Sequence, residues 1–256
     1  MEIYIYVLLC VAAFAAGFID AVVGGGGLVQ TPVGLILLPN LPVSTVIGTL
    51  KIPAFSGTFF AAIQYLKKVT MNWRLLFLMM LIAIPSAFAG STLLTYMSND
   101  FMKPLLLFIL SLLAIYTYAK KNFGQHIAKN LSKRTQIINA ILISFIVGFY
   151  DGFIGPGTGS FFVVAFIALM GFDFLHASAN AKMVNLATNF GSIVLFMLKG
   201  KIIWLIAIPM AVSNALGGWA GAKLAINKGN SFIRVFFLIV VVGTLIRFAY
   251  DVFWKK

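Results

Sequence analysis

The sequence predicts an all-α polytopic membrane protein with about eight transmembrane helices and two short re-entrant helices, built from two homologous halves. Three observations carry that prediction. The chain of 256 residues is 61% hydrophobic and only 10% charged, with a mean hydropathy of +1.03. Its apolar residues are gathered into long runs, and its first half returns in its second at a constant offset of 131, as from Asp20 to Asp151. A soluble domain carries about 25% charged residues, so a globule of this composition could not cover its surface with polar groups, which excludes a soluble enzyme.

The runs define the elements in order. They extend from Ile3 to Val23, Leu28 to Pro39, Val43 to Leu66, Trp73 to Tyr96 and Phe101 to Ala119, and then from Gln136 to Ile154, Ser160 to Gly171, Leu175 to Leu198, Ile202 to Leu224 and Phe232 to Phe253. A helix needs about 20 apolar residues to cross about 30 Å of hydrocarbon. The second and seventh runs fall short of that and follow glycine-rich stretches, so they read as re-entrant pieces. The first run lacks the basic lead-in of a secretory signal and reads as a retained span. The domain organisation is then a first repeat over 1–119, a basic cytoplasmic linker over 120–134 and a second repeat over 135–256.

Charge gives an orientation. Of the 19 Lys and Arg residues, thirteen fall on one side if each short segment returns to the side it entered from, among them Lys67, Lys68, Arg74, Lys133, Arg134, Lys199 and Lys201. Four fall opposite, Lys103, Lys223, Lys228 and Arg234. The positive-inside rule makes the richer side cytoplasmic, with both termini there. The rival count treats the short runs as spans; it gives ten spans with inverted halves, both termini outside and a weaker split of the loop charges, eleven to six. The net charge of +13 is thus topological, and no nucleic-acid partner is expected. A single cysteine, Cys10, leaves no disulfide and no cysteine metal site; no metal and no cofactor are expected.

The repeat is most telling where the residues are charged. GFIDAVVGGGG from Gly17 aligns with GFYDGFIGPGT from Gly148, and the same offset pairs Lys51 with Lys182. Asp20, Asp151, Lys51 and Lys182 are the ionisable residues lying deep in apolar runs before the last span. Each costs at least about 2.5–3.5 kcal/mol at the bilayer centre, and such residues ordinarily mark a pathway. Asp20 and Asp151 are candidates for coupling or ion pairing, each with one of the two lysines, in either combination.

The glycine runs end one apolar helix and begin a short one, and Pro156 cannot continue a helical hydrogen-bond ladder. Backbone at membrane depth is tolerated where it lines a cavity, and helix starts offer N–H groups and a positive dipole end to anions. The candidate substrate-binding residues are therefore Gly25, Gly26, Gly157, Thr158 and Gly159 in the turns, with Lys51, Lys182 and Thr49, and with Asn185 and Asn189, which share a helical face with Lys182.

GFIDAVVGGGG with GTLKIPAFSGT, and GFYDGFIGPGTGS with AKMVNLATNFGS, resemble the TauE/SafE family of sulfite exporters over almost the whole chain. The resemblance implies a multi-pass transporter of the cell membrane, not an enzyme, that exports a small sulfur-containing anion such as sulfite, sulfoacetate or another organosulfonate. It also implies that the glycine motifs and their lysines lie near the substrate path. Pro53, after Lys51, has no counterpart at Val184 and weakens the symmetry. The partners expected are that anion and the lipid bilayer. A passive anion channel would use the same scaffold. An intramembrane aspartyl protease is the rival from another class: Tyr150-Asp151 matches one half of its signature, but Asp20 sits in GFID where that signature needs GxGD.

Overall fold

The computed structural model describes residues 2–98, Phe101, Leu105 and residues 131–253. The rest of the fifth apolar run, including Lys103, most of the linker with His126, and the last three residues lie outside the described residues. Within them the apolar runs are helices: α1 (Ile3–Val23), α2 (Gly26–Leu37), α3 (Val43–Leu66), α4 (Trp73–Tyr96), α5 (Lys133–Phe153), α6 (Thr158–Ala165, continued by a π-turn over Phe166–Met170), α7 (Phe174–Leu198) and α8 (Trp204–Gly229). Gly229, at φ 72° and ψ −165°, breaks the last helical stretch, and α9 follows over 230–253. Six helices among the described residues are long and apolar enough to cross a membrane, and α2 and the α6 segment are shorter apolar ones.

The helices end where local chemistry ends them. Asn72, Ser132 and Asp173 cap α4, α5 and α7 by accepting from the N–H three residues on, which satisfies one of the orphan donors of a first turn. Gly24 closes α1 in the left-handed conformation at φ 81°, which glycine adopts without steric cost. Gly155 does the same after α5 at φ 89°.

Three apolar clusters set the level of each helix. The largest joins Ala21 to Val23 of α1, Ala61 and Tyr65 of α3, Leu76 and Met79 of α4, Ala140 of α5, Phe174 of α7 and Ala222 of α8. At the other end, Leu9 and Ala13 of α1 group with Val46 of α3 and Ile206 of α8, and Val43 of α3 groups with Leu94 of α4 and Phe196 of α7. So α1, α3 and α8 run one way and α4, α5 and α7 run the other. Backbone contacts agree: Ile203 donates to Thr49 Oγ1 at 3.1 Å while Gly57 lies against Asn214, and Ser86 Oγ donates to the Phe145 carbonyl while Ser91 Oγ donates to that of Gly152.

This corrects the expected path of the short segments. α2 lies back along α1, with Gly26 against Ala16 and Asp20, and returns the chain to the end from which α1 entered; α3 is therefore parallel to α1. The left-handed Gly24 supplies the reversal. The directions are those of the rival count, with the two halves inverted in space and the Lys67–Lys68 loop at the opposite end from Lys199 and Lys201. α1–α2 and α5–α6 form two helical hairpins, inserted from opposite ends. Their tips meet at Gly24 and Gly159, where Ser160 donates its N–H to the Gly24 carbonyl at 3.0 Å and its hydroxyl to the Val23 carbonyl at 2.9 Å. A Cβ at either glycine would overlap the other turn's backbone.

The hairpins flank an inner pair, α3 and α7, whose apolar windows are 61% and 72% buried, against 33% for α1 and α5. The inner pair carries the two lysines. Small residues let the outer helices close on it: Gly90 of α4 abuts the Phe149 carbonyl, and Gly221 of α8 abuts that of Phe18. These two contacts are related by the same offset of 131.

Labelling from opposite sides tests the helix directions. In a Cys10→Ser background, single cysteines at Thr70 and Lys199 should react with an impermeant maleimide from opposite faces of sealed vesicles. Reaction of both from one face would restore the parallel arrangement.

Candidate functional site

α1 and α5 both stop inside the bundle, and each ends on a carboxylate. Near a helix C-terminus the last carbonyls lack intrahelical partners and the dipole is negative, so an aspartate there adds charge of the same sign. The compensation comes from the other half of the chain. Lys182 of α7 donates to both the carboxylate of Asp20, at 3.0 Å, and the Asp20 main-chain carbonyl. Lys51 of α3 donates to Asp151 Oδ2 at 2.9 Å and to the Asp151 carbonyl at 2.7 Å. The two pairs are counterparts under the 131 offset, and both cross between halves.

The pairs differ in openness. The Lys182 side chain is fully buried and Asp20 is 16% exposed, whereas Lys51 and Asp151 are 6% and 4% exposed. Thr58 Oγ1 donates to Asp20 at 3.3 Å. Each carboxylate is thus held by a lysine, unlike the two carboxyls sharing a site in an aspartyl protease dyad.

Between the hairpin tips and the inner helices lies a cavity of about 60 Å³, room for about two waters at ~30 Å³ each. Asp20, Lys51, Asp151, Gly26, Gly157, Thr158, Gly159, Asn185 and Asn189 line it. Three sequence candidates do not. Lys182 is sealed against α1. Gly25 is the N-cap of α2. Thr49 faces away, donating to the Thr45 carbonyl at 2.7 Å and capping the start of α8; proximity in sequence to Lys51 placed it two residues, and so about 200° of helical turn, from the lysine's face.

Both short helices start at the cavity, and neither start carries a side-chain cap. Leu28, Thr158 and Ser160 spend their N–H groups on nearby carbonyls, leaving the amides of Gly26, Gly27 and Gly159 as the donors of these two ends that border the cavity. Asn185 accepts from Thr188 Oγ1 on its side-chain oxygen at 3.3 Å as well as on its main-chain carbonyl at 2.9 Å, so the half of its side chain left to donate at the cavity is the amide nitrogen.

Gln30, Thr31 and Asn214 also line the cavity and were not candidates. Gln30 Nε2 donates to the Leu50 carbonyl at 3.1 Å, and Asn214 Nδ2 donates to Gln30 Oε1 at 2.8 Å, a buried amide chain joining α2, α3 and α8. The available signal was an amide alone in an apolar run, which the search for repeated residues passed over: 131 positions away stand Phe161 and Ala83. These amides are therefore unmatched across the offset, whereas the ion pairs and the lining residues Thr58 and Asn189 are matched.

Removing one member of such a pair strands a buried charge. Lys182→Met should cost about 3–5 kcal/mol by denaturant unfolding in detergent, and Lys182→Met with Asp20→Asn should recover most of it. Additive losses would show that the two residues are energetically independent.

The description "Sulfite exporter TauE/SafE" matches residues 9–248 of the chain. A probable membrane transporter from Sinorhizobium sp, ORF9, is 33% identical over 98% of this chain and 95% of its own length. One from Haemophilus influenzae is 32% identical over 97% and 95%, and the probable membrane transporter YfcA of Escherichia coli K12 is 30% identical over 95% and 89%. No solved structure matches the chain. With a match of this extent, with these relatives, and with helices able to span the bilayer meeting at a buried charged centre, the chain belongs to the TauE/SafE family of multi-pass membrane transporters.

Proposed function

We propose that the protein moves a small oxyanion, sulfite or a compact sulfonate, through the central cavity. The observation that carries this reading is the meeting of two uncapped helix starts at one cavity. The lysines alone do not make the cavity positive, since each is matched by an aspartate and by the negative end of a broken helix. The uncompensated positive ends are those of α2 and α6, and with the Asn185 amide they offer a ring of neutral donors. Oxyanions suit such donors because their charge is spread over several acceptor oxygens. Lys51 adds attraction at short range while its bond to Asp151 keeps it in place.

The size of the cavity favours an ion of four or five heavy atoms over longer organosulfonates. The halves are read as a duplicated unit, inverted by the two hairpins, which is an arrangement of transporters with a site near the midplane. The end bearing Lys67, Lys68, Arg74, Lys133, Arg134, Lys223 and Lys228 is assigned to the cytoplasm by the positive-inside rule. Outward passage of a monoanion then gains about 2.3 kcal/mol per 100 mV of inside-negative potential.

The test is flux in proteoliposomes. Asn185→Leu leaves both ion pairs intact and should lower sulfite flux at least about tenfold, the loss of one hydrogen bond to a charged ligand, with unfolding little changed. Sulfite should also compete against its own labelled flux better than sulfoacetate does. Full flux in the variant would remove the cavity from the path, and stronger competition by sulfoacetate would reverse the size assignment.

A further inference from the structure

A second pocket of about 260 Å³ lies away from the central cavity, at the end of the bundle where α3 and α8 finish side by side. Lys67, Lys68 and Lys223 line it with Gln64, Trp219 and Asn227. The Lys223 ammonium stands 5.1 Å from the centre of the Trp219 ring. No carboxylate is among its lining residues, in contrast to the centre, where each lysine has its aspartate. Three cations brought together without a counter-charge make a site for an anion of matching charge.

What leads to the pocket distinguishes the kind of anion. α3 and α8 are parallel and touch closely at Gly57 and Gly218, so a groove follows them. On α3, Phe60, Gln64 and Lys67 recur at helical spacing along one face; on α8, Val212, Leu216, Trp219 and Lys223 do the same. Phe60, Val212 and Leu216 are exposed large apolar residues, and Trp219, 43% exposed, stands between them and the lysines. The order along both helices is hydrocarbon, then amphipathic side chain, then cation, the order of depth in a lipid leaflet.

We propose that this groove holds an anionic phospholipid, with its acyl chain along Phe60 and Leu216 and its headgroup phosphate on Lys67, Lys68 and Lys223. A free phosphate would share the lysines but would gain nothing from the apolar stripe. The lipid, by contrast, ties α3, which carries Lys51, to α8, which carries Asn214.

Native mass spectrometry of the detergent-purified protein tests the assignment with phosphatidylglycerol and phosphatidylcholine of the same acyl chains. Phosphatidylglycerol should be retained in preference. Each of Lys67→Gln, Lys68→Gln and Lys223→Gln should weaken its retention about fivefold, the worth of one basic residue near an anionic lipid. Lys228→Gln, which removes the same charge outside the pocket, should leave retention unchanged. Equal retention of the two lipids, or an equal effect of Lys228→Gln, would overturn the proposal. Displacement of the lipid by millimolar inorganic phosphate would overturn its lipid half and assign the pocket to a soluble anion.

Discussion

Two helices of this protein end in the interior of the bundle, and everything around them answers the electrostatic consequence. A helix that stops in a low-dielectric interior exposes unpaired carbonyls and the negative end of its dipole. Here each such end also bears an aspartate, so the local charge would be prohibitive without a cation beside it. The chain supplies one from the opposite half each time, and each lysine donates to the carboxylate and to the carbonyl of the same residue. The cost of burying four charges is met by geometry: both partners are fixed by helix packing, and each ammonium makes two donations to its aspartate.

The crossing of the pairs has a mechanical consequence. If each aspartate were held by the lysine of its own half, the two hairpins could shift without reference to one another. As built, the α1–α2 hairpin is tied to α7 through Asp20 and Lys182, and the α5–α6 hairpin to α3 through Asp151 and Lys51. The bonds from Ser160 to Gly24 and Val23 then join the hairpin tips. A displacement of either hairpin must carry the inner helix of the other half with it or break a buried pair, so the two halves are mechanically coupled.

Much of this was legible in the sequence, and the parts that were not share a cause. The ends of α1, α3 and α4 coincide with the ends of their apolar runs because the glycine, asparagine and lysine residues that stop the hydropathy also stop the helices. The four buried charges stood out because so few others lie deep. Their pairing was open because both lysines are equivalent under the repeat, and only the packing of α3 and α7 between the hairpins decides it. The direction of the short helices was hidden for a related reason: hydropathy is the same whichever way a helix is traversed. The charge count then favoured the more lopsided topology, thirteen to four, over the one the glycine turns enforce. Thr49 was drawn in by its nearness to Lys51, although it lies off the lysine's face. Gln30 and Asn214 were passed over because the duplicated pattern, so useful for the charges, has no counterpart for them.

That last asymmetry makes the surroundings of the central cavity unequal. A two-fold arrangement of identical halves would place identical groups on both sides of the tips. In this chain the charges keep the symmetry, since each hairpin needs its cation, while part of the neutral lining departs from it. Asn185 stands where the first half has Ala54, and Gln30 and Thr31 stand where the second has Phe161 and Phe162. The counterparts of Gln30 and Thr31 are packed aromatics instead: Phe162 is fully buried, and Phe161 packs on Tyr150 with ring centres 5.1 Å apart. The matched ion pairs hold both hairpins in place, and the unmatched neutral residues make the surroundings of the two turns chemically different.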